Sequence, residues 1–357
     1  MIKVLHSADW HLDAPISGHE PQQSEFLRSQ LAKIPAQITK IAAAEQCDIA
    51  LLSGDLFDGA YNQETLRTVQ KALAEMNIPV FISPGNHDFI QPDSPYLQSG
   101  WPDNVHIFKQ QKIEEVTLPE LSCKIYGAGY SAMDCPALLK NFQASGEETW
   151  HIGVLHGEAD TARGAYCPIS KDQLRDSALS YLALGHIHKS GSVRAGETLC
   201  AWPGCPMGKG YDELGTKGVL LVTLDQSVRT DFIPLDTPRF YDENLEAGLE
   251  PAEALSSVLP SLPTDDFYRI TLTGYSAELD LKQLVSRFPH IPNLILRDET
   301  LPEMDLWSAV GEDSLEGVYF SLLQQATQSD SRILQSNAQL AARISRQILD
   351  GQEVKLP

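Results

Sequence analysis

No stretch of this sequence approaches the roughly 18 consecutive apolar residues that a membrane span needs, so no membrane partner is expected. The start, Met1-Ile2-Lys3-Val4-Leu5, lacks the apolar core and small-residue cleavage site of a secretory signal. It reads as a first strand, which makes a cytoplasmic location the expectation. Cysteines at C-x-x-C spacing are absent as well. The six cysteines (Cys47, Cys123, Cys135, Cys167, Cys200, Cys205) are scattered, and the one close pair, Cys200 and Cys205, has no histidine or second pair at zinc spacing. Reduced, buried thiols are expected in place of a disulfide framework or a structural zinc. There is no repeat at solenoid periods and no low-complexity tract, which excludes a stacked-repeat architecture. With 42% apolar and 21% charged residues, wholesale disorder is excluded too.

Basic residues are scarce: 27 Lys and Arg stand against 48 Asp and Glu, a formal net charge of −21. Residues 1–239 hold 19 bases and 29 acids, net −10; residues 240–357 hold 8 and 19, net −11. The shorter second part is therefore about twice as acidic per residue. Such a balance favours solubility and opposes unaided binding to a polyanion.

A length of 357 residues points to more than one domain. Over the first 235 residues, short apolar runs at 2–5, 49–52, 80–82, 124–126, 152–155 and 182–184 alternate with helical patterns at 24–45, interrupted at Pro35, and 63–76. This alternation predicts an α/β fold with covered sheets. From about 190 to 234 the pattern turns to strands and glycines, an antiparallel edge. Pro234-Leu235-Asp236-Thr237-Pro238 reads as a linker. An acidic stretch follows, then a β-α-β unit at 267–273, 278–288 and 293–297. Asp313-Ser314-Leu315-Glu316 has capping-box spacing and opens a helix with Leu315, Val318, Tyr319, Leu322 and Leu323 on one face. A last helix, 331–349, carries Ile333, Leu340, Ile344 and Ile348 along one stripe. Such stripes suit either packing on the chain's own body or docking of a partner helix.

Five clusters of metal-capable side chains follow apolar runs that read as strands. They are Asp9-Trp10-His11, Gly54-Asp55-Leu56-Phe57-Asp58, Gly85-Asn86-His87-Asp88, His156-Gly157 and Gly185-His186-Ile187-His188. In an α/β sheet, ligands gather beyond the carboxyl ends of strands, so five such clusters can share one crevice. On an extended backbone, i and i+2 side chains face the same way, which lets Asp9 with His11, and His186 with His188, present paired ligands. The glycines before Asp55, Asn86 and His186 fit sharp turns and close backbone approach. Carboxylate and amide oxygens mixed with imidazoles suit Mn²⁺, Fe²⁺ or Zn²⁺ more than Ca²⁺. A bridging carboxylate flanked by imidazoles is the arrangement of two-metal hydrolases, whose paired cations, about 3.5–4 Å apart, activate water and clamp phosphoryl oxygens. Any one of these pieces alone has a bland reading as a turn, a cap or a core histidine; five at strand ends in this order do not. His6 lies out of phase with Asp9 and His11 and is expected in the core.

These residues carry a resemblance to the calcineurin-like metallophosphoesterases, and within them to the SbcD-like DNA repair exonucleases, most closely their YhaO-like branch. It rests on the segments His6 to Pro15, Ser53 to Asp58, Gly85 to Asp88, Leu155-His156-Gly157 and Tyr181 to His188, and continues through Trp202-Pro203-Gly204 and Glu213 to Gly218. It is specific over 1–235 and looser beyond. The fold it implies is a four-layer α-β-β-α sandwich over 1–238, with a small β-α-β cap over 239–302 and C-terminal helices over 303–357 as an ATPase-docking segment. The family assigns Asp9, His11, Asp55 and His188 to one divalent ion, and Asp55, Asn86, His156 and His186 to the other. Mn²⁺ is the first candidate, with Fe²⁺, Zn²⁺ or Mg²⁺ as alternatives. His87 takes the role of the non-ligand histidine that stabilises the pentacovalent phosphate or protonates the leaving oxygen, with Asp88 a candidate to orient it. Some members carry a DNA-contacting histidine where this chain has Asp58, which is better suited to orienting a ligand histidine. Arg163, Lys189, Lys209 and Lys217 are candidate phosphate contacts.

Three functions are compatible with these features. The resemblance implies a two-metal DNA nuclease, with 3′→5′ exonuclease and some endonuclease activity, working with an SbcC-like coiled-coil ATPase; homodimers are common in the family. The net charge favours a phosphodiesterase or phosphatase acting on a small molecule or nucleotide. A non-catalytic scaffold of the same fold is the third, opposed by the cost of burying carboxylates without metal.

Overall fold

Apolar runs buried on both faces make interior strands. The structure, a computed structural model describing residues 1–354 apart from 162 and 303, places them in two six-stranded sheets. The chain divides after Phe240 into two units. In the first, β1 (Ile2–Ser7), α1 (Pro21–Leu31), α2 (Ile34–Ala44), β2 (Ile49–Leu52), α3 (Gln63–Glu75), β3 (Val80–Ile82) and β4 (Val105–Ile107) come first. Next are β5 (Glu114–Leu118), β6 (Cys123–Gly127), β7 (Trp150–His156), α4 (Lys171–Asp176) and β8 (Tyr181–Gly185). The unit ends with β9 (Gly191–Ala195), β10 (Thr198–Trp202), β11 (Gly218–Leu224) and β12 (Val228–Pro234). The sheet orders are β12-β11-β1-β2-β3-β4 and β5-β6-β7-β8-β10-β9.

β1 to β4 run parallel, as do β6, β7, β8 and β10, so both central sets end on one side; β11, β12, β5 and β9 are the antiparallel additions. Alternate residues of the two sheets, Val4, Ile49, Leu51 and Phe81 against Ile125, Ile152, Val154 and Tyr181, form one core between them. On the far side of the second sheet, Leu155, Leu182 and Leu184 pack with Leu174 of α4 and with Tyr130 and Leu139. Leu5, Ala50, Leu52, Val80 and Ile82 are buried on the outer face of the first sheet, beneath crossover helices whose Leu27, Leu31, Ile34, Ile38, Leu66, Val69 and Leu73 turn inward. The result is an α-β-β-α sandwich. The helix expected at 24–45 breaks into α1 and α2, and Pro35 falls in the first turn of α2, where its missing N–H costs nothing.

His6 is fully buried between the sheets, its Nδ1 2.7 Å from the Tyr181 hydroxyl and its Nε2 2.7 Å from Ser53 Oγ. Burial pushes its pKa down to about 3 from 6.5. An unfolded chain therefore takes up the proton first, and stability falls as pH drops from about 6.5 towards about 3. Between pH 7 and pH 5 the loss is expected to be roughly 2 kcal/mol. Urea unfolding of the metal-free chain at the two pH values, compared with His6→Gln, checks this: an equal loss in the variant removes His6 as the cause.

The second unit holds β13 (Phe240–Glu246, opening on the last residue of the first unit), α5 (Pro251–Val258), β14 (Phe267–Thr273), β15 (Tyr275–Ser276), α6 (Leu281–Ser286), β16 (Leu294–Asp298), β17 (Leu301–Pro302), α7 (Leu315–Ala326) and α8 (Arg332–Leu349). The β-α-β unit pairs β14 with β16 in parallel, and β13 joins as a third strand. The sequence showed β13 only as an acidic stretch. Its Tyr241 and Leu245, with Ala247 just beyond its end, pack into the local core, while Asp242 accepts from Arg269 Nε at 2.8 Å. Where the sequence separated 239–302 from 303–357, the structure gathers both into one unit. Arg343 of α8 lies 3.5 Å from the Tyr275 ring centroid and donates to the Pro302 carbonyl at 3.1 Å.

Ser314 and Ser331 cap α7 and α8. The face that packs is the one holding Phe320 and Ala342, joined by Leu323; most of the apolar stripes read from sequence look outward, with Leu315 89%, Leu322 61% and Ile348 60% exposed. Among the described residues no helix is long and apolar enough to cross a membrane.

Candidate metal centre

All five motif clusters leave their strands at the same end of the two sheets. The turns are sharp enough to put four candidate ligands in the left-handed region, Asp9 (φ 55°), His11 (47°), Asp55 (53°) and His186 (88°). Non-glycine residues hold such angles only where the surroundings impose them, and such strain concentrates at functional sites. At Gly85 the backbone runs against two of the candidate ligands: a Cβ there would stand 2.2 Å from Asp55 Oδ1 and 2.8 Å from His156 Nδ1.

Hydrogen bonds aim each ligand atom. Asp9 Oδ1 accepts from His186 N (2.9 Å) and Asp55 Oδ1 from His87 N (2.9 Å), leaving both Oδ2 atoms turned inward. Asp55 Oδ2 lies 3.8 Å from His11 Nε2 and 3.3 Å from His156 Nε2, between the two halves of the cluster. Nδ1 of His11 faces Asp58 Oδ1 at 3.0 Å, and Nδ1 of His188 faces Glu213 Oε1 at 2.5 Å. With both Nδ1 atoms protonated towards carboxylates, the Nε2 atoms of His11 and His188 meet at 3.0 Å as lone pairs. His156 donates from Nδ1 to the Ser53 carbonyl at 2.9 Å, so its Nε2 faces Asn86 Oδ1, also at 2.9 Å. His186 presents Nδ1 to the same oxygen at 3.1 Å, with Nε2 3.3 Å from Glu158 and its ring centroid 4.4 Å from that of Tyr166, tilted by 34°.

The arrangement fits divalent cations. Asp9 Oδ2 is buried without any hydrogen-bond partner. Across the centre His11 and His188 meet acceptor to acceptor, and Asp55 is matched by a proton on His156 that a divalent ion would displace. Asp9, His11 and His188, and separately Asp9, Asp55 and His156, place their donor atoms within 4.8 Å of one another. Burial raises the Asp9 carboxyl above its ordinary range. Burial also works to raise Asp55, but the His156 charge and hydrogen bond hold it below the usual carboxylate range. Burial disfavours the charged His156 ring, yet Asp55 lifts it to about 9; His186 is held down to about 4, by burial and then by His156.

His87 stands beside this cluster, its ring 4.8 Å from that of His11 and its side chain 43% exposed. The carboxylate that holds it is Asp58, whose Oδ1 sits 2.7 Å from His87 Nδ1 and also faces His11. The hydrogen bond that His87 donates to Asp58 raises the His87 pKa, and the two histidines hold Asp58 low. Asp88 does not orient His87, contrary to the sequence expectation. It is buried on the other side of the turn, where it accepts from the backbone of Gly85, Asp55, Leu56 and Phe57 and from the Tyr96 hydroxyl. Consecutive side chains in so tight a turn diverge, so Asp88 fastens the β2 and β3 loops together.

The basic candidates are placed differently from one another. Lys217 is buried behind the site, with Nζ 3.4 Å from the His188 carbonyl. Lys209 meets the cluster through its backbone, donating to Glu213 Oε2 at 2.7 Å. Arg163 and Lys189 are exposed. Glu213 and Glu158 were missed as partners of His188 and His186, because nothing local in sequence connects them. Carboxylates of this kind fix ring orientation and tautomer. Glu213→Gln is expected to weaken metal binding about 10–100-fold, read by titration calorimetry with Mn²⁺. An unchanged affinity would remove that role.

A family model of the calcineurin-like phosphoesterases matches residues 2–190. The chain is 35% identical over 238 residues to the uncharacterized metallophosphoesterase YhaO of Bacillus subtilis, covering 62% of this chain and 57% of that protein. The chain thus spans little more than half the length of that relative. It is 28% identical over 365 residues to the SbcD component of the nuclease SbcCD from Staphylococcus epidermidis, covering 91% of this chain and 94% of that one. Among solved structures, a dimetal phosphatase from Danio rerio matches 65% of this chain and 98% of its own, at 12% identity and a TM-score of 0.42. The chain belongs to the calcineurin-like phosphoesterase family, whose members hydrolyse phosphate esters with divalent metal ions.

Proposed function

We propose that this protein is a two-metal phosphodiesterase acting on DNA, as an exonuclease with some endonuclease activity, together with a coiled-coil ATPase. The observation that carries the chemistry is the inward Oδ2 of Asp55, set between His11 on one side and His156 on the other. Asp9, His11, Asp55 and His188 would hold one ion, and Asp55, Asn86, His156 and His186 the second. Bound there, divalent ions, Mn²⁺ first among them, activate water and offset the charge on phosphate oxygens. Asp58 fixes His87 through Nδ1, which leaves Nε2 free to protonate a leaving oxygen. Asp58, Glu213, Glu158 and the Ser53 carbonyl hold the ligand rings in place before substrate arrives.

The DNA substrate is supported by similarity to a nuclease component over nearly the whole chain. The partner is supported by α7 and α8. Their outward stripes include Leu315, Tyr319, Ile348 and Leu349, which line an apolar groove of about 530 Å³ suited to an amphipathic helix. The net charge of −21 favours a second reading, a phosphodiesterase for small molecules or nucleotides. Assay of the Mn²⁺-loaded protein on linear DNA and on p-nitrophenyl phosphate esters separates the two. A kcat/KM on DNA far above that on the small esters supports the first. Turnover of the small esters with no DNA degradation, even with the ATPase present, supports the second.

A further inference from the structure

A groove of about 420 Å³ lies against the metal centre on the far side of the His186–His188 loop. His186 and His188 point into the centre, and the alternating residues Ile187 and Lys189 line the groove. Ser190, Gly191 and Ser192 continue its wall, and Trp202, fastened by Nε1 to the Gly157 carbonyl at 3.1 Å, closes one side. Glu158 is shared, facing His186 with one oxygen while lining the groove.

Of the polar groups lining the groove, Glu158 faces His186 and Thr161 Oγ1 donates to the Arg163 carbonyl at 2.8 Å, which leaves Lys189, Ser190 and Ser192. Among the described residues, Lys189 makes no ion pair and the hydroxyls of Ser190 and Ser192 make no hydrogen bond. Gly191 leaves open space where a Cβ would stand, and β9, on which it sits, is the edge of its sheet. Ile187 is 38% exposed between two buried or half-buried ligand histidines, an apolar side chain held at the rim of a polar site. A cation, two free hydroxyls and an open backbone suit a phosphate; an adjoining apolar wall suits the flat face of a nucleoside.

We infer that this groove seats the nucleotide next to the scissile phosphate, Lys189, Ser190 and Ser192 taking its phosphate and Ile187 lying against its sugar or base. This deepens the proposed function and rests on it. The groove makes the preferred substrate one with a second phosphate beside the reacting one, and supplies a local cation in an acidic protein.

The test compares the full chain with Lys189→Ala and Ser192→Glu, both exposed positions. In EDTA, binding of a fluorescein-labelled oligothymidylate is read by anisotropy across a KCl series. The expected result is weaker binding in both variants, with the slope of log affinity against log salt reduced by about one contact in Lys189→Ala. With Mn²⁺, the ratio of kcat/KM on the oligothymidylate to that on bis-p-nitrophenyl phosphate is expected to fall about tenfold in Lys189→Ala, the scale of one charged hydrogen bond. Unchanged slope and ratio, in a wild-type protein that cleaves the oligothymidylate, would overturn the groove assignment and leave the proposed function standing. A wild-type protein that cleaves bis-p-nitrophenyl phosphate but neither binds nor cleaves the oligothymidylate, even with the ATPase present, would overturn both.

Discussion

Asp55→Asn is expected to lose activity by at least about 10³-fold and to bind one divalent ion where the wild type binds two. The carboxylate is 1% exposed, and its two oxygens have separate duties. Oδ1 holds the His87 backbone, and Oδ2 sits between His11 and His156. An amide keeps the size and retains one acceptor, so the turn survives, but it brings no charge and turns an N–H towards an imidazole if it reaches inward. The loss is therefore of the bridge and not of the fold. Metal-free thermal unfolding is the control. Asp55 is held below the ordinary carboxylate range by the charged His156, so its replacement leaves a buried imidazolium without its partner, and the variant is expected to melt lower than wild type without metal while keeping a native circular-dichroism spectrum at 25 °C. Calorimetric titration with Mn²⁺ reads the stoichiometry. Two ions still bound at wild-type affinity would show that Asp55 is not shared.

His87→Ala is expected to lower kcat by about 10²–10⁴-fold, the range for removal of a positioned proton donor, with metal stoichiometry unchanged. Its imidazole is tied to the protein through Asp58 and is not among the rings that face one another across the centre. Asp58→Asn should reproduce part of this loss. It also weakens the hold on His11, so metal affinity falls in that variant alone. The pair separates two roles that share one carboxylate. If His87→Ala loses metal as well as turnover, the histidine is a ligand and this division is wrong.

Legibility in the sequence followed the range of the signal. Asp9-x-His11 and Gly185-His186-x-His188 stood out as paired donors just after a strand, but the extended i, i+2 geometry expected of them does not present them: Asp9 and His11 past β1, and His186 past β8, sit in left-handed turns. The convergence of their loops follows from parallel β1–β4 and β6–β8 ending on one side. Glu213 was invisible as a partner of His188 because the contact joins residues 25 apart through a loop with no period. Asp88 was misread because adjacency in sequence says nothing about direction inside a tight turn. β13 was hidden by Asp242, Glu243 and Glu246; Glu243 falls in phase with Tyr241 and Leu245, so the strand carries no clean alternation. The stripes of α7 and α8 were legible as apolar faces, but not which way they turn. A small buried face, Phe320 with Ala342, took the interior in their place.

The most direct test of the account is anomalous scattering from crystals of the protein grown with Mn²⁺. Two peaks are expected in one cavity, sharing Asp55 Oδ2, one flanked by Asp9, His11 and His188 and the other by Asn86, His156 and His186. A single peak, or metal bound elsewhere with these side chains left facing one another, would contradict it.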